Sequence, residues 1–163
     1  MRKSDAVNVV RAYAAQFDIR CGDPRAVTTH RTLDSLFLRV DSYTLSFDTE
    51  AGPVQASVSR RTRGVHYFEL KPTDPKQFLL PLWGVFPHYT SVTTFWRQGY
   101  GEHYKYLWHT WYRGLSDEDR RRYKQRFPAP TDERRCWEGF YEQVADVPAT
   151  GQNPIGELII GRV

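Results

Sequence analysis

Apolar and polar side chains alternate residue by residue between Leu36 and Leu70. Alternation with this period gives a strand one apolar and one polar face, so the segment predicts a sheet that buries one face. Turn-forming residues interrupt the pattern at 49–53 and 60–64, and connections this short join neighbouring antiparallel strands. The sequence therefore predicts an antiparallel meander. Its four predicted strands are 36–40, 43–48, 54–59 and 65–70.

A helix that can cover this sheet precedes it. Ser4 is a suitable N-cap, and Asp5 complements the helix dipole in the first turn. The apolar side chains that follow recur at helical spacing and form one stripe. They are Ala6, Val9, Val10, Tyr13, Ala14 and Phe17. Gly22 and Pro24 predict the end of the helix, and its apolar stripe is expected to pack on the sheet.

The second half of the chain is predicted to be mainly helical. Prolines interrupt the apolar segment 78–86, which predicts an irregular buried crossing. The β-branched and aromatic residues of Ser91–Trp96 predict a further strand. Apolar spacing predicts a helix over 100–114, and the sequence after Ser116 matches a capping box at the start of another helix. Thr131 is a suitable N-cap for a last helix that carries Trp137, Phe140, Tyr141 and Val144.

These segments together predict a single α+β domain over residues 1–163. Its N-terminal helix packs on an antiparallel sheet of about five strands. Two or three C-terminal helices follow, and Leu158–Ile160 adds a short terminal strand.

Composition excludes several classes of protein. No apolar run approaches the roughly 18 residues of a membrane span, so no membrane partner is expected. No apolar segment follows Met1–Asp5, which predicts no secretory signal. Cys21 and Cys136 lie far apart on predicted helices, a pattern that favours reduced thiols and a cytoplasmic location.

Aromatic residues are unevenly distributed along the chain. The sequence holds 9 Phe, 10 Tyr and 5 Trp, and eleven of these lie between Trp83 and Tyr112. Aromatic side chains fill cores, so packing is the first expectation for them. The proline-broken segment 78–96 can also wall a ligand cavity, which leaves a small-molecule site open.

The helix over 100–114 carries two distinct stripes. On a helical wheel, Lys105, His109 and Arg113 lie within about 60° of Glu102. The side chains on the opposite side of the helix are Tyr104, Trp108, Trp111 and Leu115. The polar stripe is either a solvated face or, with Tyr106 beside it, the lining of a groove for an anionic partner.

The same helix does not predict a metal site. His103 and His109 point about 120° apart, and Glu102 lies about 10 Å along the axis from His109. Ligands on one helix converge on zinc at spacings of three or four residues, so neither pair fits. We therefore expect no metal and no cofactor.

A basic run lies in the next helix at Arg120, Arg121 and Arg122. Five acids accompany the eight basic residues between Arg113 and Arg135, and the acids lie where the helix dipole favours them. The whole chain carries a net charge of only +4. The run is therefore either a phosphate-binding strip or an ordinary solvated helix end.

No sequence motif of nucleophilic, phosphate-binding or metal catalysis is present, so the sequence leaves open whether the chain is an enzyme. Catalytic groups that are distant in sequence can still converge. The titratable candidates for such a site are His66, Glu69, His88 and His103.

The sequence favours a small non-catalytic protein that binds a macromolecule, because Trp, Tyr and Arg dominate binding hot spots. A protein partner or self-association is favoured over nucleic acid. The candidate binding residues are Lys105, Tyr106, His109, Arg113, Arg120, Arg121 and Arg122. If the partner is nucleic acid, Tyr106 is expected to stack on a base. The alternative is an enzyme or ligand-binding domain with an aromatic-lined pocket between the sheet and the C-terminal helices.

Overall fold

The computed structural model describes residues 1–34, 37–71, 73, 78–132 and 136–145. The chain divides into two compact units. The first unit contains the described residues up to Leu80 together with Gly84–His88. The second contains Pro81–Trp83 and the described residues from Tyr89 onward.

The first unit begins with helix α1, Lys3–Ala15. Arg2 is its N-cap, and the carboxylate of Asp5 accepts a hydrogen bond from the Arg2 backbone N–H at 2.8 Å. Ala6, Val10 and Ala14 are buried, which confirms the predicted apolar stripe. The helix ends earlier than predicted, because a turn follows in which Asp18 adopts a left-handed φ of 59°.

Four antiparallel strands follow α1 in the described residues, in the spatial order β1-β2-β3-β4. Their bounds are Ala26–Asp34, Phe37–Thr49, Gly52–Ser59 and Val65–Leu70. One face of the sheet is apolar. Its buried residues include Tyr43, Leu45, Phe47, Val54, Ala56, Val58, Val65 and Phe68. Helix α1 packs against β2, β3 and β4, so the fold class is α+β as predicted.

The number and limits of the strands differ from the prediction. The described residues of the two predicted strands, 37–40 and 43–48, belong to one long strand, β2. Its pairing with β1 shifts register where His30 faces Ser42 and Arg31 faces Val40. Strand β1 was not predicted, because the polar residues Thr28, Thr29 and Thr32 interrupt its alternation of apolar and polar side chains. Threonine nevertheless favours strands because it is β-branched.

A β-bulge interrupts the pairing of β3 with β4. Ser57 faces Tyr67 while Val58 faces Val65, so His66 is the extra residue. Phe86 packs on Tyr67 with ring centroids 5.5 Å apart, and His88 packs on His66 at 4.4 Å. The segment Gly84–His88 therefore contacts β4, the last strand in the sheet order, and such contacts protect a strand from edge-to-edge pairing.

The second unit is helical in its described residues. A one-turn helix α2, Leu82–Val85, links the two units, and a 3₁₀ turn spans Thr94–Arg97. Helix α3, Gly99–Gly114, is followed by α4, Asp117–Arg126, and α5, Phe140–Ala145. The Ser116 hydroxyl accepts a hydrogen bond from the Asp119 N–H at 3.1 Å, which confirms the predicted start of α4.

Of three further predictions for this region, one is wrong, one places the start of a helix too early, and one lies outside the described residues. The strand predicted over Ser91–Trp96 is wrong, because the chain forms the 3₁₀ turn there and the Trp96 indole N–H donates to the Thr90 carbonyl at 2.6 Å. The last helix begins only at Phe140, and the exposed Cys136 precedes it with a φ of 53°. The strand predicted at 158–160 lies outside the described residues.

Aromatic rings form the core of the second unit. Trp137 contacts Trp96 and Trp83 at 5.7 and 5.2 Å between centroids. Trp108 stacks on Tyr112 at 4.8 Å and donates its indole N–H to the Tyr123 hydroxyl at 2.8 Å. Most of the aromatic cluster seen in the sequence is therefore packing. No described helix is long and apolar enough to cross a membrane.

Candidate functional site

Helix α3 has a sharply divided surface. Gly101, Tyr104, Trp108 and Tyr112 recur every three or four residues and are all buried. They hold the helix against the aromatic core of the second unit. The helical period then directs the residues between them toward solvent.

The exposed side of α3 carries two tyrosines and a histidine. Tyr100 and Tyr106 are 46% and 55% exposed, and His103 lies between them and is also exposed. The rings of Tyr100 and His103 have centroids 6.5 Å apart. Each step of three residues turns the side chain by about 60°, so Tyr100 and Tyr106 point about 120° apart on the exposed half of the helix, with His103 between them. We call Tyr100, His103 and Tyr106 the tyrosine face.

The predicted polar stripe of α3 is only partly open to solvent. Lys105 and Arg113 are half-buried, and Tyr106 beside them is exposed. His109 lies close to the rings of Trp108 and Phe140, with centroids 5.6 and 5.9 Å away. Its Nε2 atom is buried and has no hydrogen-bond partner among the described residues. His109 therefore belongs more to the packing of α3 than to an open groove.

The environment of His109 lowers its pKa from 6.5 to about 4. Burial is the main cause, and the positive charges of Lys105 and Arg113 add to it. The imidazole is therefore neutral at pH 7. In this state it does not contribute the positive charge that a phosphate contact requires.

The free energy of unfolding should fall as the pH drops from 6.5 toward 4, because the unfolded chain then binds a proton at His109 and the folded chain does not. At pH 5 the expected loss from this group is about 1–2 kcal/mol. Urea unfolding of the wild type and of His109→Gln at pH 7 and pH 5 measures it. The variant should lose less stability than the wild type, and His103→Gln on the exposed side should behave like the wild type. Equal losses in all three proteins would contradict this role for His109.

The basic run of α4 is largely engaged with the acids of its own helix. Arg120 forms an ion pair with Asp117 at 3.7 Å, and Arg122 pairs with Glu118. Arg120 also donates to the Arg113 carbonyl at 2.7 Å, which fixes it against the end of α3. Arg121 is exposed and makes no ion pair with any residue that the structure describes. The arginines at positions 120 and 122 thus have structural partners already.

The four catalytic candidates lie in different environments. His66 and His88 come together in the first unit, with ring centroids 4.4 Å apart. Glu69 lies further along β4 and accepts a hydrogen bond from the Tyr67 hydroxyl at 2.5 Å. His103 lies on the tyrosine face of the second unit. Sequence reasoning named His66 and His88 but contained no signal that they touch.

Sequence reasoning missed Tyr100 as a surface residue. The available signal was its spacing of three and six residues from His103 and Tyr106.

The described residues contain no group of three or more His, Cys, Asp or Glu side chains that could hold a metal ion. Comparisons of the chain with protein-family models, with curated proteins and with solved structures found no match.

Proposed function

We propose that this protein is a non-catalytic binding protein of the cytoplasm that recognises another protein through the tyrosine face of α3. The observation that carries the proposal is the exposure of Tyr100 and Tyr106 on the solvent-facing half of one helix. Among the described residues, the exposed large hydrophobic side chains are these two and Val92. The neighbouring aromatic residues of the second unit, by contrast, largely fill its core.

Tyrosine suits such a role for physical reasons. Its ring provides a large apolar contact area with few rotatable bonds, and its hydroxyl forms a hydrogen bond at the edge of the contact. Tyrosine is accordingly enriched among the residues that contribute most to binding energy. A rigid helix presents Tyr100 and Tyr106 at a fixed spacing, which reduces the entropy lost when a partner binds.

The charges near the tyrosine face favour a partner with an acidic rim. Arg97 is exposed just before α3 and Arg113 is partly exposed in its last turn, whereas Glu102 is the exposed acid of the helix. Two copies that met through this face by a two-fold axis would bring the same positive groups together. A different protein with carboxylates around an apolar patch avoids this repulsion.

Nucleic acid is the less favoured partner. The phosphate contacts expected from the sequence are Lys105, His109, Arg113 and Arg120–Arg122, and three of these residues are already engaged or uncharged. Arg120 and Arg122 pair with acids of α4, and the pKa of His109 keeps its ring neutral. Polyanion binding depends on available positive charge, which these contacts reduce.

Site-specific photo-crosslinking tests the proposed surface. A benzophenone side chain at position 106, introduced in the source cells, should give a discrete protein adduct. The same group at position 121, which is also exposed, should not give that adduct. Identical adducts at the two positions, or no protein adduct at position 106, would contradict the proposal. The trapped protein, once identified, is purified for the affinity measurement described in the Discussion.

Binding to oligonucleotides is measured by the fluorescence anisotropy of a labelled strand. Intrinsic tryptophan fluorescence is a poor reporter here because Trp83, Trp96, Trp108 and Trp137 are buried. The proposal predicts no saturable binding at about 50 mM salt. Binding that weakens steeply between about 50 and 200 mM salt would instead assign the surface to nucleic acid.

A further inference from the structure

The turn between β3 and β4 brings together positive charge and paired imidazole rings. Arg60, Arg61 and Arg63 occupy three of the four positions that follow β3, and all three side chains are exposed. None of them forms an ion pair within the part of the chain that the structure describes. The turn is closed by a hydrogen bond from the Ser59 N–H to the Gly64 carbonyl at 3.1 Å.

His66 and His88 both lie against this turn. The Nε2 atom of His66 is 3.0 Å from the Thr62 hydroxyl, and Thr62 stands between Arg61 and Arg63. The Nε2 atom of His88 is 3.5 Å from the point where a side chain on Gly64 would begin. A side chain larger than that of glycine would therefore reach this imidazole. The two rings contact each other as well, at 4.4 Å between centroids.

The bulge in β4 explains how the cluster forms. His66 is the extra residue in the ladder, so its direction is not fixed by a cross-strand partner. Positive φ at Arg63 turns the chain sharply just before Gly64. His88, at the end of the segment that covers β4, then meets His66. These features place two imidazoles and a hydroxyl at a turn that also carries three exposed arginines.

We infer that this cluster, which we call the β3–β4 turn site, binds a dianionic oxyanion such as the phosphate group of a small phosphate monoester. Arginine donates paired hydrogen bonds to the oxygen atoms of such groups, and histidine adds a donor and a charge when it is protonated. The site occupies a single turn, so its size fits one phosphate group rather than an extended polymer. This inference is independent of the tyrosine face.

Protonation is coupled to binding at this site. In the free protein, burial and the neighbouring His88 lower the pKa of His66. The other charged groups nearby are the three turn arginines and, farther along β4, Glu69, which accepts its hydrogen bond from Tyr67. A bound dianion favours the protonated form of His66, so binding should strengthen as the pH falls.

Sulfate is the best first probe, because it stays dianionic between pH 5.5 and 7.5 and isolates the protonation of the protein. Chemical shifts of the His66 and His88 rings and of the arginine Nε–H groups are followed during a sulfate titration at constant ionic strength. We expect a single saturable site whose affinity falls about tenfold from pH 5.5 to 7.5. Inorganic phosphate and a small phosphate monoester should then compete with sulfate for it.

Two variants test which residues bind. Arg61→Ala and His88→Gln should each weaken sulfate binding at pH 5.5 at least fivefold, while Arg20→Ala, at an exposed arginine elsewhere in the first unit, should leave it within twofold of the wild type. Equal weakening in all three variants, or shifts that never saturate, would overturn the inference. A sulfate affinity that does not change with pH would also overturn the inference. Tight binding of Zn²⁺ that strengthens as the pH rises would instead assign the imidazole pair to a cation.

Discussion

Replacing Trp108 with alanine should reduce the free energy of unfolding by about 3–5 kcal/mol, the range typical of a buried large aromatic residue. Trp108 is completely buried and contacts Tyr112, Tyr123 and Phe140. Its loss would leave a large cavity and would also remove the indole donor from the Tyr123 hydroxyl. A loss of this size is a large part of the stability of an ordinary domain.

Trp111→Ala is the matched control. Trp111 lies three residues further along α3, is only half-buried, and contacts the Tyr123 ring at 5.2 Å. Its removal should cost about 1–2 kcal/mol, because less apolar surface returns to water. Urea unfolding followed by far-ultraviolet circular dichroism measures both variants. Equal losses would show that the core of the second unit is not centred on Trp108.

The substitution Gly101→Ala should destabilise the protein by about 1–3 kcal/mol although it adds one methyl group. The new Cβ atom would lie 2.6 Å from the Phe95 carbonyl oxygen and as close to the Phe95 ring. The ring can rotate, but the backbone oxygen is fixed by the 3₁₀ turn. The start of α3 would therefore have to move away from that turn.

At the other end of the helix, Gly114→Ala should not destabilise the protein. A Cβ atom on Gly114 would meet no atom within 4 Å. Alanine there should be neutral or stabilising by up to about 1 kcal/mol, since it favours the helix more than glycine does. Thermal unfolding of the two variants compares the signs directly. A stable Gly101→Ala protein would mean that α3 does not contact Phe95 this closely.

Local signals predicted much of the fold. Ser116 followed by three acidic residues marked the start of α4, and the side-chain cap forms as expected. The alternation from Tyr43 to Phe47 and from Val54 to Val58 marked the buried face of the sheet correctly. In each case, the residues that determine the element lie within a few positions of one another.

The errors arose where a tertiary contact decided the local structure. Ser91–Trp96 has the composition of a strand. The Trp96 indole N–H, however, donates a hydrogen bond to the Thr90 carbonyl, and its ring packs on Trp137. The α5 region begins late because positive φ at Cys136 and Gly139 bends the chain before Phe140. Composition carries no information about such long-range or conformational constraints.

In the candidate sites, too, features set by neighbouring residues were predictable and contacts between distant residues were not. The burial of Tyr104 and Trp108 on one side of α3 was predictable from its period. The burial of His109 against Phe140 was not, because Phe140 is distant in sequence. The contact between His66 and His88 likewise depends on a bulge and on the segment that covers β4. Neither the bulge nor the covering segment can be recognised from a few neighbouring residues of the sequence.

The affinity of the trapped partner for two double variants tests the central claim most directly. Isothermal titration calorimetry compares the wild type with Tyr100→Ala/Tyr106→Ala and with Arg121→Ala/Arg122→Ala. If the tyrosine face is the binding surface, the tyrosine variant should raise Kd at least about 100-fold, as expected for two hot-spot residues. The arginine variant should then stay within about threefold of the wild type. A large loss in the arginine variant, with the tyrosine variant unchanged, would place the binding surface on α4 and contradict the account.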